Sequence, residues 1–547
     1  MSSKGYIRGV KGLLLFAVLW CCCPIIEANQ GTWERREVDW QMMGGDKVKA
    51  INYPPEGRKQ LFPKEGNRKS KGFHKEIRQG SKISRRSSLL QLQQSAVPIV
   101  VNVIDSPAGD GFVPWIAVSV TNERDEEGIT DAVTETSVTG GYLTSHPESD
   151  YVIGIYDTGA SAHVMGNAAG HLVGLFNQNP ALITSHKNTI SGVTGEVDAW
   201  VSQPIGVFID GLGAIEPNGL LWNRSRMMGQ SNVAIMVGQG GAAVDLPTAI
   251  GSPLSVYFTA VFNNETQITV NHDGNDFNGP DLRIYEQDDP CIPTYTNLIP
   301  LELRPLGASA VQYIYFDLED LLNVDPTSPS VIIGNSSQSI FFVSSVDLYD
   351  SSHNKNFSAI DKTRFMFDTG AQITVIGSRV GSRLGLNPAK KEFEVEIQGV
   401  TGDVIMAPGF YIDAVDIPAL GEWLSFTNIP VVLLNVPSPE GGTVDGIIGM
   451  NLFNDLNFVF RGGGLFLQDD PSVEFKIIVI GDIAPVGGDG KVDYLDLAEL
   501  AAHWLQISSS QGWNPACDLA PRGNPDGVVN FLDFSVMAEH WFDGVGQ

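Results

Sequence analysis

The chain has 547 residues, 43% of them hydrophobic, and a formal net charge of −28. This length allows about two to four domains, and the 31 prolines and 59 glycines favour a loop-rich β protein over a helical bundle. Residues 31–90 are basic, with fifteen Lys or Arg against seven Asp or Glu, whereas the sequence after residue 90 is strongly acidic. This acidity excludes a nucleic-acid-binding surface in the folded part of the chain.

Residues 1–28 have the pattern of a signal peptide. Lys4, Arg8 and Lys11 precede the apolar run 12–20, and Ala28 is a suitable cleavage position. The apolar run is too short for a transmembrane span, and no later stretch stays apolar for about eighteen residues. We therefore expect a secreted protein, extracellular or associated with the cell surface, whose mature form is not embedded in a membrane.

The cysteines are few and unevenly placed. Cys21–Cys23 lie in the signal region, where a lipid-anchored cysteine is an alternative, although Trp20 is bulkier than the small residue that usually precedes such an anchor. Only Cys291 and Cys517 remain, in different regions, so we expect no disulfide framework.

Residues 29–95 are polar and basic and lack apolar periodicity. Two interpretations stay open: a disordered linker, and a prosegment whose lysines approach an acidic cleft before activation. From Val97 onward, β-type runs such as Trp115–Val120 alternate with turn residues, which predicts a mainly β region.

An internal repeat organises this β region. Asp157-Thr-Gly-Ala recurs as Asp368-Thr-Gly-Ala, and each copy follows an apolar run typical of a buried strand. Two further matches follow in the same order, Ile190–Val197 with Ile397–Val404 and Thr248–Gly251 with Gly446–Gly449. The sequence therefore predicts a duplicated β lobe, with an N-terminal lobe at 96–265, interlobe strands and a connection at 266–335, and a C-terminal lobe at 336–472.

Two aspartates, one from each lobe, suit peptide hydrolysis without a metal or a nucleophilic side chain. Two carboxylates that share one proton can deprotonate a water molecule and protonate a carbonyl oxygen. Close together, they cannot both be charged, so their titrations separate. We predict Asp157 and Asp368 as the catalytic pair. We also expect Thr158 and Thr369 to lock the two loops together, and Gly159 and Gly370 to let backbone N–H groups approach the carboxylates.

With these motifs, residues 97–470 resemble the pepsin and retropepsin clan of aspartic proteases. The segments 368–376 and 445–452 are similar to retropepsins, whereas the lobe length and the single-chain duplication are similar to pepsin. The resemblance implies a bilobal, mainly β fold with pseudo-twofold symmetry, an aspartic-type endopeptidase activity on peptide or protein substrates, and no cofactor for catalysis.

Two departures from the family pattern bear on function. Thr374 supplies the usual hydroxyl in the second copy, but His163 stands in that place in the first, either as a buried histidine or as a pH-sensitive element. Ala160 and Ala371 replace the Ser or Thr that lowers the carboxylate pKa in pepsin-like enzymes. Loss of that hydrogen bond predicts a mildly acidic pH optimum.

A glycine-rich hairpin follows each aspartate. The resemblance implies that one or both form flaps over bound substrate, and ordinary hairpin turns remain the alternative. The predicted flap residues are Gly192, Val193, Thr194 and Gly195 in the first copy, and Gly399, Thr401 and Gly402 in the second.

A second repeat occupies residues 478–547. Each copy contains an acidic loop with a central glycine, followed by a helix pattern that ends in His-Trp. Alternating oxygen ligands and a glycine are what calcium loops require. The candidate ligands are Asp482, Asp489, Asp493 and Asp496 in the first loop, and Asp518, Asp526, Asn530 and Asp533 in the second.

This repeat resembles a dockerin module, a small α-helical calcium-binding domain. The resemblance implies bound Ca²⁺ and a cohesin-like scaffold protein as a partner. An acidic helical hairpin without metal is the alternative. For the whole chain, two other functions stay open: a pepsin-fold peptide-binding protein with weak catalysis, and a calcium-dependent surface or adhesion protein.

Overall fold

The structure is a computed structural model. It describes residues 20–22, 99–103, 111–121, 151–176, 182–192, 195–203, 205–216, 228–238, 248–287, 289–305, 330–333, 339–350, 355–357, 363–398, 404–419, 424–437, 443–463, 470–485, 491–520 and 526–541. The predicted prosegment or linker at 29–95 and most of the predicted signal peptide lie outside these residues. The described chain divides into two compact units, one formed by residues 1–454 and 458–475 and the other by residues 455–457 and 476–547.

The described part of the larger unit is mainly β, as the sequence predicts. The strands of its first half are β1 (Trp20–Cys22), β2 (Ile99–Asn102), β3 (Trp115–Thr121), β4 (Val152–Tyr156), β5 (Val164–Met165), β6 (Ile183–Gly192), β7 (Gly195–Ser202), β8 (Ile205–Gly211), β9 (Met228–Val233), β10 (Met236–Gly238), β11 (Ala249–Ile250), β12 (Thr259–His272) and β13 (Asn275–Tyr285). Those that follow are β14 (Asn297–Pro300), β15 (Glu302–Pro305), β16 (Ser330–Ile333), β17 (Ser339–Ser344), β18 (Asp347–Asp350), β19 (Lys355–Phe357), β20 (Arg364–Phe367), β21 (Thr374–Ile376), β22 (Phe393–Gln398), β23 (Val404–Ile417), β24 (Leu424–Leu433), β25 (Gly446–Ile448), β26 (Leu456–Arg461) and β27 (Ser472–Ile477).

Among the described residues, helices are few and short. They are α1 (Asn167–Leu172), α2 (Ser252–Ser255), α3 (Ser378–Leu384), α4 (Tyr494–Ala502) and α5 (Phe531–Glu539). No helix among the described residues is long and apolar enough to cross a membrane.

The strands form three sheets. The first has eleven strands in the order β1-β6-β7-β10-β5-β11-β4-β3-β8-β9-β16. The second, also of eleven strands, runs β15-β17-β20-β25-β21-β24-β23-β18-β19, with β2 added beside β24 and β22 beside β23. The third has five strands in the order β13-β12-β26-β27-β14, so it combines strands that begin at the end of the predicted N-terminal lobe and continue into the predicted interlobe region with strands from the end of the predicted C-terminal lobe.

The long hairpin β12–β13 lies in the region for which the sequence predicts only interlobe strands and a connection. Its strands pair from Thr259 with Tyr285 to His272 with Asn275. The turn between them contains Asp273 and Gly274, with φ of 52° and 78°. Positive φ at both central residues is what a tight hairpin turn requires, and Asp-Gly supplies it at low cost.

The smaller unit contains α4 and α5, and each helix begins with a capping box. The Asp493 side chain accepts the N–H of Leu495, and the Asn530 side chain accepts that of Leu532. These side chains satisfy N–H groups that would otherwise lack partners at the first turn. The unit has its own apolar core, which includes Val492, Leu500, Cys517, Val529 and Met537.

Candidate active site

Asp157 and Asp368 each follow the last residue of a buried strand. Strand β4 ends at Tyr156 and β20 ends at Phe367. Strand β11 pairs with β4 in the parallel direction and with β5 in the antiparallel direction. Strand β20 has the same environment, with β25 parallel to it and β21 antiparallel to β25. The two aspartate loops are therefore built in the same way in both large sheets.

The two loops are joined to each other by their threonines. Thr158 N–H donates to Thr369 Oγ1, and Thr369 N–H donates to Thr158 Oγ1, each at 3.0 Å. Each hydroxyl in turn donates across the pair, Thr158 Oγ1 to the carbonyl of Phe367 at 3.0 Å and Thr369 Oγ1 to that of Tyr156 at 2.5 Å. Both threonines are fully buried, so these four bonds fix one loop against the other without competition from water.

Backbone N–H groups hold the inner oxygen of each carboxylate. Asp157 Oδ1 accepts from Gly159 at 2.9 Å and from Ala160 at 2.8 Å, and Asp368 Oδ1 accepts from Gly370 at 2.9 Å. The glycines are required for close approach. A Cβ on Gly159 would lie 2.5 Å from Asp368 Oδ1, and one on Gly370 would lie 2.7 Å from Asp157 Cγ.

The two carboxyl groups are buried, and each affects the protonation of the other. Both aspartates are completely inaccessible, and burial raises the pKa of each because it disfavours the charged form. For Asp368 the negative charge of Asp157 and the hydrogen bond between them raise the pKa further. For Asp157 that bond and the two backbone N–H groups lower the pKa and offset part of the burial effect. Burial and mutual repulsion therefore disfavour a state in which both carboxyl groups are charged.

Aromatic side chains of the five-stranded sheet pack against the strand residue that precedes each aspartate. Phe460 of β26 lies 6.3 Å from Tyr156 and stacks on Phe367 at 5.9 Å, measured between ring centroids. Phe262 of β12 contacts Tyr156 at 6.1 Å. The five-stranded sheet thus packs against the residue that precedes each aspartate. These contacts hold both aspartate loops in position against that sheet.

His163 in the first loop and Thr374 in the second each accept a hydrogen bond from a glycine N–H. Thr374 Oγ1 accepts the N–H of Gly449 at 3.3 Å, and its own N–H and hydroxyl both donate to Asn451 Oδ1 at 2.8 Å. In the first loop, His163 Nδ1 accepts the N–H of Gly251 at 3.2 Å.

The ring of His163 is therefore neutral, with its proton on Nε2, which lies 3.2 Å from Gln230 Oε1. The residue is completely buried, and burial lowers the pKa of His163 to about 4.

The outer oxygens Oδ2 of both aspartates accept no hydrogen bond from a donor group of the described chain. Ala160 and Ala371 are fully buried beside them and have no hydroxyl to offer. The two alanines therefore remove one source of pKa lowering at these carboxylates.

The predicted flap residues are only partly described. Gly192 and Gly195 pair with each other at the end of the β6–β7 hairpin. Strands β22 and β23 form the corresponding hairpin in the second copy, with Gln398 opposite Val404. Val193, Thr194, Gly399, Thr401 and Gly402 lie outside the described residues. Whether one or two flaps cover substrate stays a prediction.

In the second predicted calcium loop, the candidate ligands are close together. Asp518 Oδ2 accepts from Gly527 N–H at 2.8 Å, whereas its buried Oδ1 has no hydrogen-bond partner among the described residues. Asn530 Nδ2 lies 3.3 Å from Asp526 Oδ2, and Asn530 N–H donates to Asp533 Oδ2. Burial raises the pKa of Asp518, and the charges of Asp533 and Asp526 also raise it, which a cation at this position would relieve. The all-oxygen donor set fits Ca²⁺.

The first predicted calcium loop is less complete. Asp489 lies outside the described residues. Asp496 is buried, and its carboxylate accepts from Ile483, Ala484 and Asp493 N–H groups, as Asp533 does from the equivalent groups of the second loop. Asp482 and Asp493 are both described, but residues 486–490 between them are not.

Two residues that support the aspartate loops are absent from the sequence-based prediction. Asn451 belongs to the motif 445–452, so its place two residues after Gly449 could have identified it as a supporting residue. Gln230 has no such signal, because it meets His163 only through the pairing of distant strands.

Residues 359–452 match the family described as Aspartyl protease. For this segment, the predicted resemblance to aspartic proteases is confirmed. No curated protein matches the chain.

Two solved structures are similar to parts of the chain. The first is an aspartic proteinase from Irpex lacteus, 11% identical, covering 67% of this chain and 97% of its own, with a TM-score of 0.34. The second is a retropepsin-like aspartic protease from Rickettsia conorii, 20% identical, covering 24% of this chain and 94% of its own, with a TM-score of 0.14.

Proposed function

We propose that the chain is an aspartic endopeptidase in which Asp157 and Asp368 activate a water molecule for attack on a peptide bond. The observation that carries this proposal is a pair of loops locked together by Thr158 and Thr369, each of which holds a buried aspartate carboxylate with its own N–H groups. The match of residues 359–452 to the aspartyl protease family supports it.

In the proposed mechanism, the two aspartates begin with one proton between them. Asp157, whose carboxylate is stabilised by two N–H groups, accepts a proton from the water as it attacks the peptide carbonyl carbon. Asp368, kept protonated by burial and by the charge of Asp157, donates its proton to the carbonyl oxygen. The tetrahedral intermediate then collapses as Asp157 returns a proton to the leaving nitrogen and Asp368 regains its own.

Cleavage of an unfolded protein substrate tests this proposal. We expect cleavage to be blocked by a statine-type inhibitor and reduced by at least about a thousandfold in Asp157→Asn and Asp368→Asn, which preserve shape but remove the shared-proton chemistry. Asp276→Asn, in the exposed β12–β13 hairpin, is the matched control and should retain activity. Cleavage that survives both dyad substitutions, or that only chelators inhibit, would refute the proposal and favour the peptide-binding or adhesion alternative.

We also propose that the protein is secreted and that its C-terminal unit binds Ca²⁺ and docks to a cohesin-like scaffold protein. The basic and apolar pattern of residues 1–28 supports secretion, and the oxygen-rich second loop supports calcium. N-terminal sequencing of the exported chain should locate cleavage near Ala28. Calcium titration followed by calorimetry should show binding that Asp518→Asn weakens; unchanged binding in that variant would contradict the assignment.

A further inference from the structure

We propose that Glu499, His503 and Cys517 form a binding site for a zinc-class divalent transition-metal ion, distinct from the two predicted calcium loops. One ligand atom from each residue lies within 4.8 Å of the other two. The site lies within the smaller unit, and the proposal is independent of proteolytic activity.

Two of the three ligands come from one helix face. Glu499 lies in the last turn of α4, and His503 caps that helix. Side chains four residues apart on a helix are neighbours, and Glu499 Oε1 lies 3.1 Å from His503 Nε2. Cys517 approaches from the short turn 515–517, with its Sγ 3.9 Å from the main-chain carbonyl oxygen of Glu499.

Both partly exposed ligands are already oriented by a second residue. Gln506 Oε1 lies 3.0 Å from His503 Nδ1, so the tautomer that donates Nδ1–H to Gln506 leaves Nε2 free to bind an ion beside Glu499. Asn514 Nδ2 donates to Glu499 Oε1 at 2.9 Å. Metal-binding histidines and carboxylates characteristically have outer partners of this kind, which fix the tautomer and the ring orientation.

The access to the site also suits a bound ion. Cys517 is completely buried at the inner end of the site, whereas the side chains of His503 and Glu499 are 19% and 34% exposed. An ion can therefore enter from the side of the helix and reach the sulfur. Tetrahedral zinc separates its ligand atoms by about 3.3–3.8 Å, a spacing that the two partly exposed side chains can reach by rotation from the present separations of up to 4.8 Å.

The donor set selects the class of metal. Calcium takes oxygen ligands, but a thiolate with an imidazole and one carboxylate suits zinc and similar ions. Binding breaks the S–H bond of Cys517, forms a sulfur–metal bond and releases one proton to solvent. Three protein ligands leave a fourth position for water or another donor.

The internal repeat provides a comparison within the same unit. If Asp482 is aligned with Asp518 and Asp496 with Asp533, the positions of Cys517, Glu499 and His503 are occupied in the other copy by Gly481, Val536 and His540. Only the histidine is common to both. The proposed site is thus a property of one copy and not of the repeated framework.

Cobalt(II), used as a spectroscopic probe for zinc, tests the proposal on the full chain. The background is a variant in which Cys21–Cys23 and Cys291 are replaced by serine, so that Cys517 is the remaining thiol. Excess calcium is present to fill oxygen-only sites. We expect one Co²⁺ per chain with a thiolate-to-cobalt charge-transfer band, release of a proton, and displacement by Zn²⁺.

Cys517→Ala should abolish the band. Because Cys517 belongs to the apolar core, His503→Gln and Glu499→Gln, at partly exposed positions, provide variants that do not alter that core. They should lower the affinity for Zn²⁺ by at least about tenfold to a hundredfold, and Gln506→Ala by about tenfold. His540→Gln is the matched control and should bind as the parent does. Absence of the charge-transfer band in the folded parent, or its persistence in Cys517→Ala, would overturn the proposal.

Discussion

Protonation of His163 should destabilise the larger unit as the pH falls. The ring is completely buried, its Nδ1 accepts the N–H of Gly251, and its two hydrogen-bond partners, Gly251 and Gln230, are uncharged. A second proton on the ring would turn Nδ1 into a donor facing another donor and would place a positive charge in the core.

The sign and size of the effect follow from the pKa of His163. In the unfolded chain the ring takes up a proton near its ordinary pKa of 6.5, but in the folded protein only near about 4. Between these values the unfolded state binds more protons, so the free energy of unfolding decreases as the pH falls from 6.5 to 4. The difference corresponds to about 3 kcal/mol, with little further loss below the lower value.

His163→Gln is the informative substitution, because glutamine keeps an acceptor for Gly251 and does not titrate. Urea unfolding at pH values of about 7, 5.5 and 4.5 should show that the variant is close to the parent at neutral pH and more stable than it by about 2–3 kcal/mol at the lowest value. The buried aspartates act in the opposite direction, since a raised folded pKa favours stability at acid pH, but their contribution is common to both proteins.

Two controls separate titration from packing. His163→Leu has no acceptor for the Gly251 N–H and should be destabilised at every pH by about 1–3 kcal/mol. His186→Gln, at an exposed position, should leave the pH dependence unchanged. If the parent and His163→Gln lose stability in parallel between neutral and acid pH, His163 is not the responsible group.

Four further outcomes are expected. Thr158→Val should lower the free energy of unfolding by about 2–4 kcal/mol, because it leaves a buried N–H and a buried carbonyl unpaired, whereas Thr158→Ser should cost less than about 1 kcal/mol; equal losses would contradict the role of the hydroxyl. Gly159→Ala should abolish peptide cleavage, since its Cβ would lie 2.5 Å from Asp368 Oδ1, and Gly213→Ala, whose Cβ meets only the Asp281 side chain at 3.1 Å, should remain active. The pH–rate profile should have a mildly acidic optimum, and Ala160→Ser should shift its acid limb to lower pH by stabilising the charged carboxylate; a parent optimum below about pH 3 would oppose this reasoning. Removal of calcium should lower the unfolding midpoint of the smaller unit without changing the intrinsic rate of peptide cleavage, and a chelator-sensitive cleavage rate would argue against the assigned division of roles.

The sequence alone determined the mainly β character and the two aspartate loops. Asp-Thr-Gly after an apolar run is a local pattern, and its recurrence with the same downstream motifs makes chance unlikely as an explanation. The β12–β13 hairpin is also encoded locally, because Asp273-Gly274 between two β-type runs is a strong hairpin signal.

Only the tertiary structure decided how these loops are supported. The sequence predicts that Thr158 and Thr369 lock the two loops together, but these residues are 211 positions apart, and the sequence does not specify that the N–H of each donates to the hydroxyl oxygen of the other. The sequence is compatible with His163 as a buried residue or as a pH-sensitive element, and its role depends on contacts with Gly251 and Gln230, which lie far away along the chain. Spacing along the chain likewise does not bring Cys517 beside the helix that bears Glu499 and His503. Periodicity and turn chemistry act over a few residues, whereas burial, partner identity and pKa arise from segments that meet only when the sheets and helices pack.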